Sequence, residues 1–557
     1  MKTRIYAILS VTLLLVFAAC QDDLNEIVYS SLTDETAYTT AENAKAGVTA
    51  IYGQLHHLYR EPMFNINDIA SDDGFKSGSD FEALNDEGIF NANSTQHAWD
   101  DLYAIASRAS LALDMVSEMD DALFTDTGIT KDQLFGEAYF MRAYAYYNLT
   151  DIFYQVPLVT SSHVDPAAKL PYANIDKIDD QIEADLLKAK DLLPMGYSDR
   201  TDAGRATYGA AAGFLTRLYM RRAGRIRLAG GDATTYWNKA LNAVNEVLSL
   251  EGSQYALQPH VWDIFDPSRE ESLYNDEIIF AVRASALHPS GSWDLALQFT
   301  SWNYDMGWGN IFQPVQLPWH FEPSDERYSK LQVVEYKDYY RPTEKYYKAP
   351  GKVEDVGSVN QNHEVDGVTY TFMEEMGETY TAKYKYEGTG TYIYDTKNNM
   401  IILRLADMIL CKAEILNEIN GPSQESVDLV NRIRERAFQN SDHNLQLADY
   451  SGKDGLRRAI CEERLLELNL ECVRRPDLIR MGLWKECMTR YIDTIRESAR
   501  YREINEGQAV GFYDGTWAAY PDPATLKDDD ARRYLPIPYR EVNMNPELAS
   551  ARTGSGE

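Results

Sequence analysis

The sequence predicts a mostly α-helical fold in which short helices stack as pairs and long irregular loops carry a few short hairpin strands. Three observations predict it. Apolar residues recur at helical spacing over several stretches. Those stretches mix large aromatics with alanine. Between them the period vanishes in runs rich in Gly, Pro, Asn, Asp and Ser. Small residues let neighbouring helices approach closely while aromatics fill the gaps, which suits stacked, tetratricopeptide-like helix pairs. No strict repeat period is visible.

The elements follow in order. Helical pairs are expected at 41–60 with 99–119, 131–153 with 176–193, 206–223 with 235–250, and 401–419 with 424–438. In 136–154, Phe140, Ala143, Tyr144 and Tyr147 share one face, Tyr139, Ala143, Tyr146 and Phe153 a second, and Pro157 follows as a stop. Tyr208, Ala211, Ala212, Leu215 and Tyr219 form the stripe of the next scaffold helix. Residues 401–418 place Ile402, Leu405, Ala406, Ile409, Leu410, Ala413 and Leu416 at helical spacing. Asn420-Gly421-Pro422 ends that run, and Ser423 is the expected N-cap of the next helix, which carries Val427, Val430 and Ile433. Residues 62–98 and 252–400 lose the period. Short alternating runs such as "VDGVTYTF" (365–372) read there as small hairpin strands.

The start of the chain has its own logic. Lys2 and Arg4 precede a nearly all-apolar run, Ile5 to Ala18, too short for a confident membrane span and matched to a signal peptide. The run closes on "FAAC", which resembles the bacterial lipobox with Phe17 where leucine is usual. That resemblance implies a lipidated Cys20 and loss of residues 1–19. The acidic "CQDDLNE" resembles the export tag of Bacteroidetes lipoproteins destined for the outer face of the outer membrane. The remainder, 20–557, is read as one domain, with a helical scaffold at about 37–250 and 401–500 and a loop-rich insertion at about 252–400.

Charge and motifs narrow the function. The net charge is −32, which disfavours nucleic-acid binding, because phosphate recognition needs a basic face. No HExxH, GxSxG or Walker A run is present. Cys411, Cys461, Cys472 and Cys487 fall in helical patterns without a CxxC or a nearby histidine pair, so buried inert thiols are expected and zinc is not. Glu463, Glu467 and Glu471 lie on one helical face. A carboxylate pair can serve a glycosidase, but the interleaved Arg464, Arg474, Asp477 and Arg480 point to ion pairs locking the last helices to the scaffold. Glu137, Arg142, Arg404 and Glu414 take the same structural reading.

Two loop stretches carry the candidate site. "ASDDGFKSGSDFEALNDEG" (70–88) does not fit an EF-hand, and no metal or other cofactor is expected. It reads either as a solvated loop or as a source of sugar contacts, with Asp72 and Asp73 accepting hydroxyl hydrogen bonds and Phe75 adding apolar contact. "TSWNYDMGWGNIFQPVQLPW" (300–319) gathers Trp302, Tyr304, Trp308 and Trp319, with Trp293 just upstream. Flat aromatic rings bury the C–H faces of sugars while polar neighbours take the hydroxyls. Gly307 and Gly309 flank Trp308 and suit a tight turn that presents its indole. Trp99, Trp237, Trp262, Trp484 and Trp517 are read as structural.

Taken in order, several stretches resemble the SusD/RagB family of Bacteroidetes outer-membrane nutrient-binding lipoproteins. "AWDDLYAIASRAS" resembles a scaffold helix of the family, with Ala106 and Ser110 where isoleucine and asparagine are usual. "GEAYFMRAYAYYNLTDIFYQVPLV" resembles a segment in which Tyr154-Gln155 replace a glycine-containing pair. "ILRLADMILCKAEILNEING" and "EERLLELNLECVRRPDLIRMG" resemble two more, the latter with Leu465 for arginine and Cys472 for glycine. "YLPIPYREVNMNPEL" resembles the family C-terminus. The resemblance implies a lipid-anchored, cell-surface, non-enzymatic protein that captures oligosaccharide or polysaccharide and delivers it to a SusC-like TonB-dependent transporter. It also implies that the long insertion carries stacking residues and that the loop at 70–88 borders the ligand. Two other classes remain open: a protein- or peptide-binding helical scaffold without a sugar site, whose aromatics would be buried, and a lipoprotein glycoside hydrolase.

Overall fold

A computed structural model describes residues 38–76, 95–165, 168–266, 274–284, 295–300, 307–314, 316–349, 359–360, 363–370, 372–375, 378–385, 398–496, 526 and 533–550. The signal-peptide region and Cys20 lie outside these residues, as do Trp293, Trp302, Tyr304 and Trp517.

The helical scaffold forms as its periodicity predicts. Its elements are α1 (Ala41–Arg60), α2 (Gln96–Glu118), α3 (Lys131–Phe153), α4 (Ile175–Leu192), α5 (Tyr208–Leu228), α6 (Thr234–Leu248), α7 (Leu405–Asn420) and α8 (Gln424–Phe438). Each expected pair packs together, and α2 packs on α3, α4 on α5 and α6 on α7, so the pairs stack in chain order. Side-chain oxygens close the orphan amides at the helix starts. Thr40, Thr130, Asn174, Thr207 and, as expected, Ser423 each cap their helix. Gly421, at φ 82°, ends α7 in a conformation that only glycine adopts without strain.

Helices α3 and α5 are buried around most of their circumference, which explains why their aromatics occupy more than one stripe. Phe140, Tyr144, Phe214 and Phe280 form edge-to-face contacts, with Phe140–Phe280 centroids 4.9 Å apart and Tyr144–Phe214 5.4 Å apart. Gly213 lets α5 close on the base of the insertion, because a Cβ there would lie 2.4 Å from Leu403 Cδ2. Trp99, Trp237 and Trp484 are core, and the four described cysteines are buried free thiols. Helices α9 (Lys453–Leu468), α10 (Arg474–Met481) and α11 (Trp484–Arg496) complete the C-terminal part.

One boundary differs from the sequence expectation. Residues 400–404 are strand, not the first turn of a helix. β1 (Ile278–Val282) and β11 (Met400–Arg404) pair antiparallel at the two ends of the insertion. Every residue of Met400–Arg404 is buried, so an apolar run at this site satisfies a strand with two covered faces as well as a helix.

Between them, the described residues form nine short strands: β2 (Gln313–Pro314), β3 (Gln332–Val333), β4 (Glu335–Lys337), β5 (Lys345–Lys348), β6 (Val359–Asn360), β7 (His363–Val365), β8 (Val368–Tyr370), β9 (Phe372–Glu375) and β10 (Glu378–Thr381). They form the sheets β2-β10-β3 and β4-β5-β9-β6 and the hairpin β7-β8. That hairpin realises the alternation seen in the sequence. Asp366 and Gly367 both take positive φ, 51° and 76°, the type I′ geometry that an Asp-Gly pair favours. A separate small core of Phe312, Val333, Tyr336, Tyr347, Tyr380 and Ala382 holds the sheets, with Phe75 and Trp262 packed against it.

Buried charge fastens the insertion to the scaffold. Arg327, wholly buried, reaches Asp325 at 2.8 Å, Glu463 at 2.7 Å and Glu467 at 3.2 Å. Lys383 reaches Glu471 at 2.7 Å, and Arg404 reaches Glu277 at 2.9 Å and Glu471 at 2.8 Å. Arg436 binds both Glu277 and Glu467. Burial opposes ionisation of Glu467, but Arg436, Arg404 and Arg327 outweigh it and hold its carboxyl well below the usual range. The expected ion pairing is therefore real. The glutamates of α9 and of the turn after it take cations from the insertion, β11 and α8. Within the interleaved set, Asp477 pairs with Arg464 at 2.5 Å and with Arg480 at 2.8 Å, and Arg464, Arg474 and Arg480 also reach Asp407, Asp72 and Glu414.

Two residues standing where the resembled family carries glycine have left-handed backbones, Tyr154 at φ 68° and Cys472 at φ 58°. Tyr154 also closes a classical γ-turn, with Gln155 N–H donating to Phe153 O at 2.9 Å.

Candidate ligand site

Three segments meet at the outer edge of the small core. A short helix, Leu295–Phe299, is followed by the strand-like segment 307–314. That segment is tied back on the helix. Trp308 N–H donates to Leu297 O at 2.8 Å, and Asn310 N–H and Ile311 N–H donate to Gln298 O at 2.9 Å. Asn310 Nδ2 donates to Gln298 Oε1 at 2.8 Å. Both glycines beside Trp308 are required. A Cβ on Gly307 would lie 1.9 Å from Thr300 O, and Gly309 sits at φ 57°.

The loop 70–76 joins this segment through a two-way backbone bridge: Phe75 N–H to Phe312 O and Phe312 N–H to Phe75 O, each 2.8 Å. The structure thus brings Phe75 and the Trp308 segment together from opposite ends of the sequence. The end of α1 contributes Arg60, whose guanidinium carbon lies 5.9 Å from the Trp308 ring centroid. No sequence spacing signals this contact.

Trp308 is 37% exposed, and among the described residues it is the one tryptophan on the surface. Trp319 is half-buried against the main core, and Phe75 is half-buried against the small one.

Asp72 and Asp73 call for a correction. Neither lies in a solvated loop, and neither carboxylate is open to a sugar hydroxyl. Asp72 is fixed by Arg474 through two bonds, Nε to Oδ1 at 2.6 Å and Nη2 to Oδ2 at 2.8 Å. Burial opposes its ionisation, yet Arg474 prevails and its carboxyl sits below the ordinary value. Asp73 has no exposed surface and accepts from Ser71 Oγ at 2.9 Å and from Leu470 N–H at 3.2 Å. Burial pushes it up to about 7. Burial and then Asp73 also raise neighbouring Asp68. These acids anchor the loop to the turn between α9 and α10. An acidic loop reads as solvated in sequence because its arginine partner is hundreds of residues away.

The scaffold interior also holds a cavity of about 50 Å³ bordered by Tyr59, Tyr144, Arg217, Arg464 and Cys472. It has room for one or two waters, not a sugar ring. Among the described residues, no cluster of three or more His, Cys, Asp or Glu side chains is arranged to hold a metal ion. Among them, no helix is long and apolar enough to cross a membrane.

Comparison with known proteins places this architecture. Residues 308–552 match the profile of the SusD family, and residues 31–220 match the profile described as "Starch-binding associating with outer membrane". The chain belongs to the SusD/RagB family. Among curated relatives, SusD-like protein P2 of Formosa agariphila is 27% identical over 511 residues, covering 86% of this chain and 91% of that protein. SusD-like protein P38 of the same organism is 28% identical over 501 residues, covering 85% and 90%. A SusD homolog from Bacteroides thetaiotaomicron shares the fold with a TM-score of 0.69 at 20% identity, covering 92% of this chain and 97% of that one. The surface glycan-binding protein A of the same species, solved with laminarihexaose, superposes with a TM-score of 0.64 at 18% identity, covering 92% and 99%. The shared fold extends over more than nine-tenths of this chain in both solved structures.

Proposed function

We propose that the protein is a cell-surface glycan-binding lipoprotein that captures oligosaccharide and passes it to a SusC-like TonB-dependent outer-membrane transporter, without chemistry on the sugar. The observation that carries this reading is Trp308: an indole whose backbone is tied to the Leu295–Phe299 helix, exposed on the insertion of a SusD-family chain while Trp99, Trp237 and Trp484 pack inward. A protein-only scaffold would have its aromatics buried; Trp308 favours sugar. The surface glycan-binding protein A solved with laminarihexaose, which shares the fold, supports the same reading. The carboxylates best placed in sequence for a glycosidase, Glu463, Glu467 and Glu471, are tied to arginine and lysine inside the protein, which supports binding over hydrolysis.

The stacking surface is assigned to Trp308 together with Trp302 and Tyr304, with Trp293 and Trp319 as flanking contacts and Phe75 as the floor. Cys20 carries the lipid, residues 1–19 are removed, and no metal or cofactor takes part. Calorimetric titration against a glycan panel tests the reading. Trp308→Ala is expected to weaken binding by roughly tenfold or more, the scale of an aromatic hot spot, and Trp302→Ala comparably. Absence of binding to every glycan, or unchanged affinity in both folded variants, overturns it. Cys20→Ser should abolish lipid incorporation, read by mass spectrometry, and co-purification of a TonB-dependent transporter tests the partner.

A further inference from the structure

The turn between β4 and β5 carries two adjacent tyrosines, Tyr339 and Tyr340, each 47% exposed. Turns are ordinarily built from Gly, Pro, Asn, Asp and Ser, which fit the backbone and leave no apolar surface in water. Other large apolar side chains exposed among the described residues occur singly in sequence; these two are neighbours.

The turn is built rigidly. Asp338 is buried, and its carboxylate accepts Tyr340 N–H at 3.0 Å, Arg341 N–H at 2.8 Å and Tyr347 Oη–H at 3.3 Å. Arg341 O accepts the amides of Glu344 and Lys345, both at 3.0 Å, and Asp338 N–H donates to Lys345 O at 3.1 Å. Beneath it, Tyr336 and Tyr347 stack at 4.8 Å within the small core. The two outer rings meet edge to face, 5.1 Å apart at 80°. The core below the turn is filled by Tyr336 and Tyr347.

We infer that Tyr339 and Tyr340 form a second carbohydrate-contact platform, separate from Trp308, that engages a long glycan chain; this rests on the glycan-binding reading above. The chemistry selects the ligand class. An aromatic face with a phenolic edge matches a sugar ring, with its C–H face and its hydroxyls. The exposed neighbours Lys337, Arg341 and Glu344 supply donors and acceptors for hydroxyls. A pre-ordered turn loses little freedom on binding. Phe312, in the Trp308 segment, belongs to the same small core as Tyr336 and Tyr347. Two contacts on one chain raise affinity for a polymer without changing affinity for a short oligosaccharide that reaches only one.

The test uses the full mature chain in affinity electrophoresis through gels cast with laminarin, amylopectin, xyloglucan, arabinoxylan or pectin. It is paired with calorimetry on a hexasaccharide from the retained polymer. Tyr339→Ala/Tyr340→Ala is expected to weaken polymer binding about tenfold and hexasaccharide binding less than twofold. Trp308→Ala is expected to weaken both, and Tyr339→Phe/Tyr340→Phe to keep polymer binding. If the parent is retained but the alanine pair is retained equally, this inference fails and the functional reading stands. Equal loss in the phenylalanine pair and the alanine pair overturns stacking. If the parent binds none of the glycans, both fall. Circular dichroism melts check the fold, and single Tyr339→Ala replaces the pair if the pair unfolds.

Discussion

The scaffold and the insertion both contain buried ion pairs but differ in how their apolar contacts are arranged. In α3, α5 and α7 the contacts join apolar faces whose spacing repeats with the helix, and their partners are the next helices in the chain. In the insertion the strands are two to five residues long and the core is a handful of aromatics. Its hold on the scaffold combines buried cations, Arg327 and Lys383, inserted among Glu463, Glu467 and Glu471, with apolar contacts such as Leu317 and Phe321 against Leu465 and Leu466. Packing tolerates small changes gradually, because one methylene is lost at a time. A buried ion cluster does not, because removing one charge strands the others.

That contrast can be broken most strongly at Glu467. Glu467→Ala leaves Arg327, Arg404 and Arg436 short of a counter-ion and is expected to cost about 3–5 kcal/mol in urea melts. Ile409→Val in α7 is expected to cost only about 0.5–1.5 kcal/mol. Equal effects would show that the charges contribute no more than packing.

The pH response should separate the two regions next. In the scaffold, burial opposes ionisation of Asp407, but Arg217 and Arg464 hold it well below the usual range. Its stabilising contribution is present above the unfolded value of about 4 and is lost as pH falls below it. Asp73, in the loop that joins scaffold and insertion, is raised to about 7 by burial. The folded state binds its proton more tightly than the unfolded chain, so its contribution is fully present below about pH 4 and fades as pH rises toward 7. The slope is at most about 1.4 kcal/mol per pH unit. Asp73→Asn should lessen the fall in stability between pH 5 and 7, measured by urea melts at each pH, with buried Asp68, which is also raised, supplying the remainder, and leave the acid limb intact.

A smaller effect is expected from glycine. Cys472→Gly relieves a left-handed backbone with little loss of packing and should raise stability by up to about 1 kcal/mol. No gain would mean that the thiol's contacts offset the strain. Finally, Gly421→Ala at the end of α7 and Gly367→Ala in the β7-β8 hairpin both force a side chain into positive φ, at about 1–2 kcal/mol. The first should lower global stability. The second should appear as faster local hydrogen exchange in the hairpin, because a small two-stranded unit opens by itself.

Much of this division was legible in the sequence. The helix pairs, the Ser423 cap, the buried thiols and the Asp-Gly hairpin all depend on neighbours within a turn or a strand of one another. The run at 401–404 was misread as helix, because a short apolar stretch buried on both faces looks alike in either form. Asp72 and Asp73 were misread as loop acids, because their partners, Arg474 and the Leu470 amide, arrive from the C-terminal helices.

By itself the sequence determined the scaffold, since helical periodicity records burial along a single element. It also determined which region gathers aromatics, since composition is local. Only the tertiary structure decided which aromatics face solvent, which carboxylates face in and which cation meets which glutamate. Those outcomes depend on distances between residues far apart in the chain, and desolvation is set by whatever folds over a group, not by its neighbours in sequence.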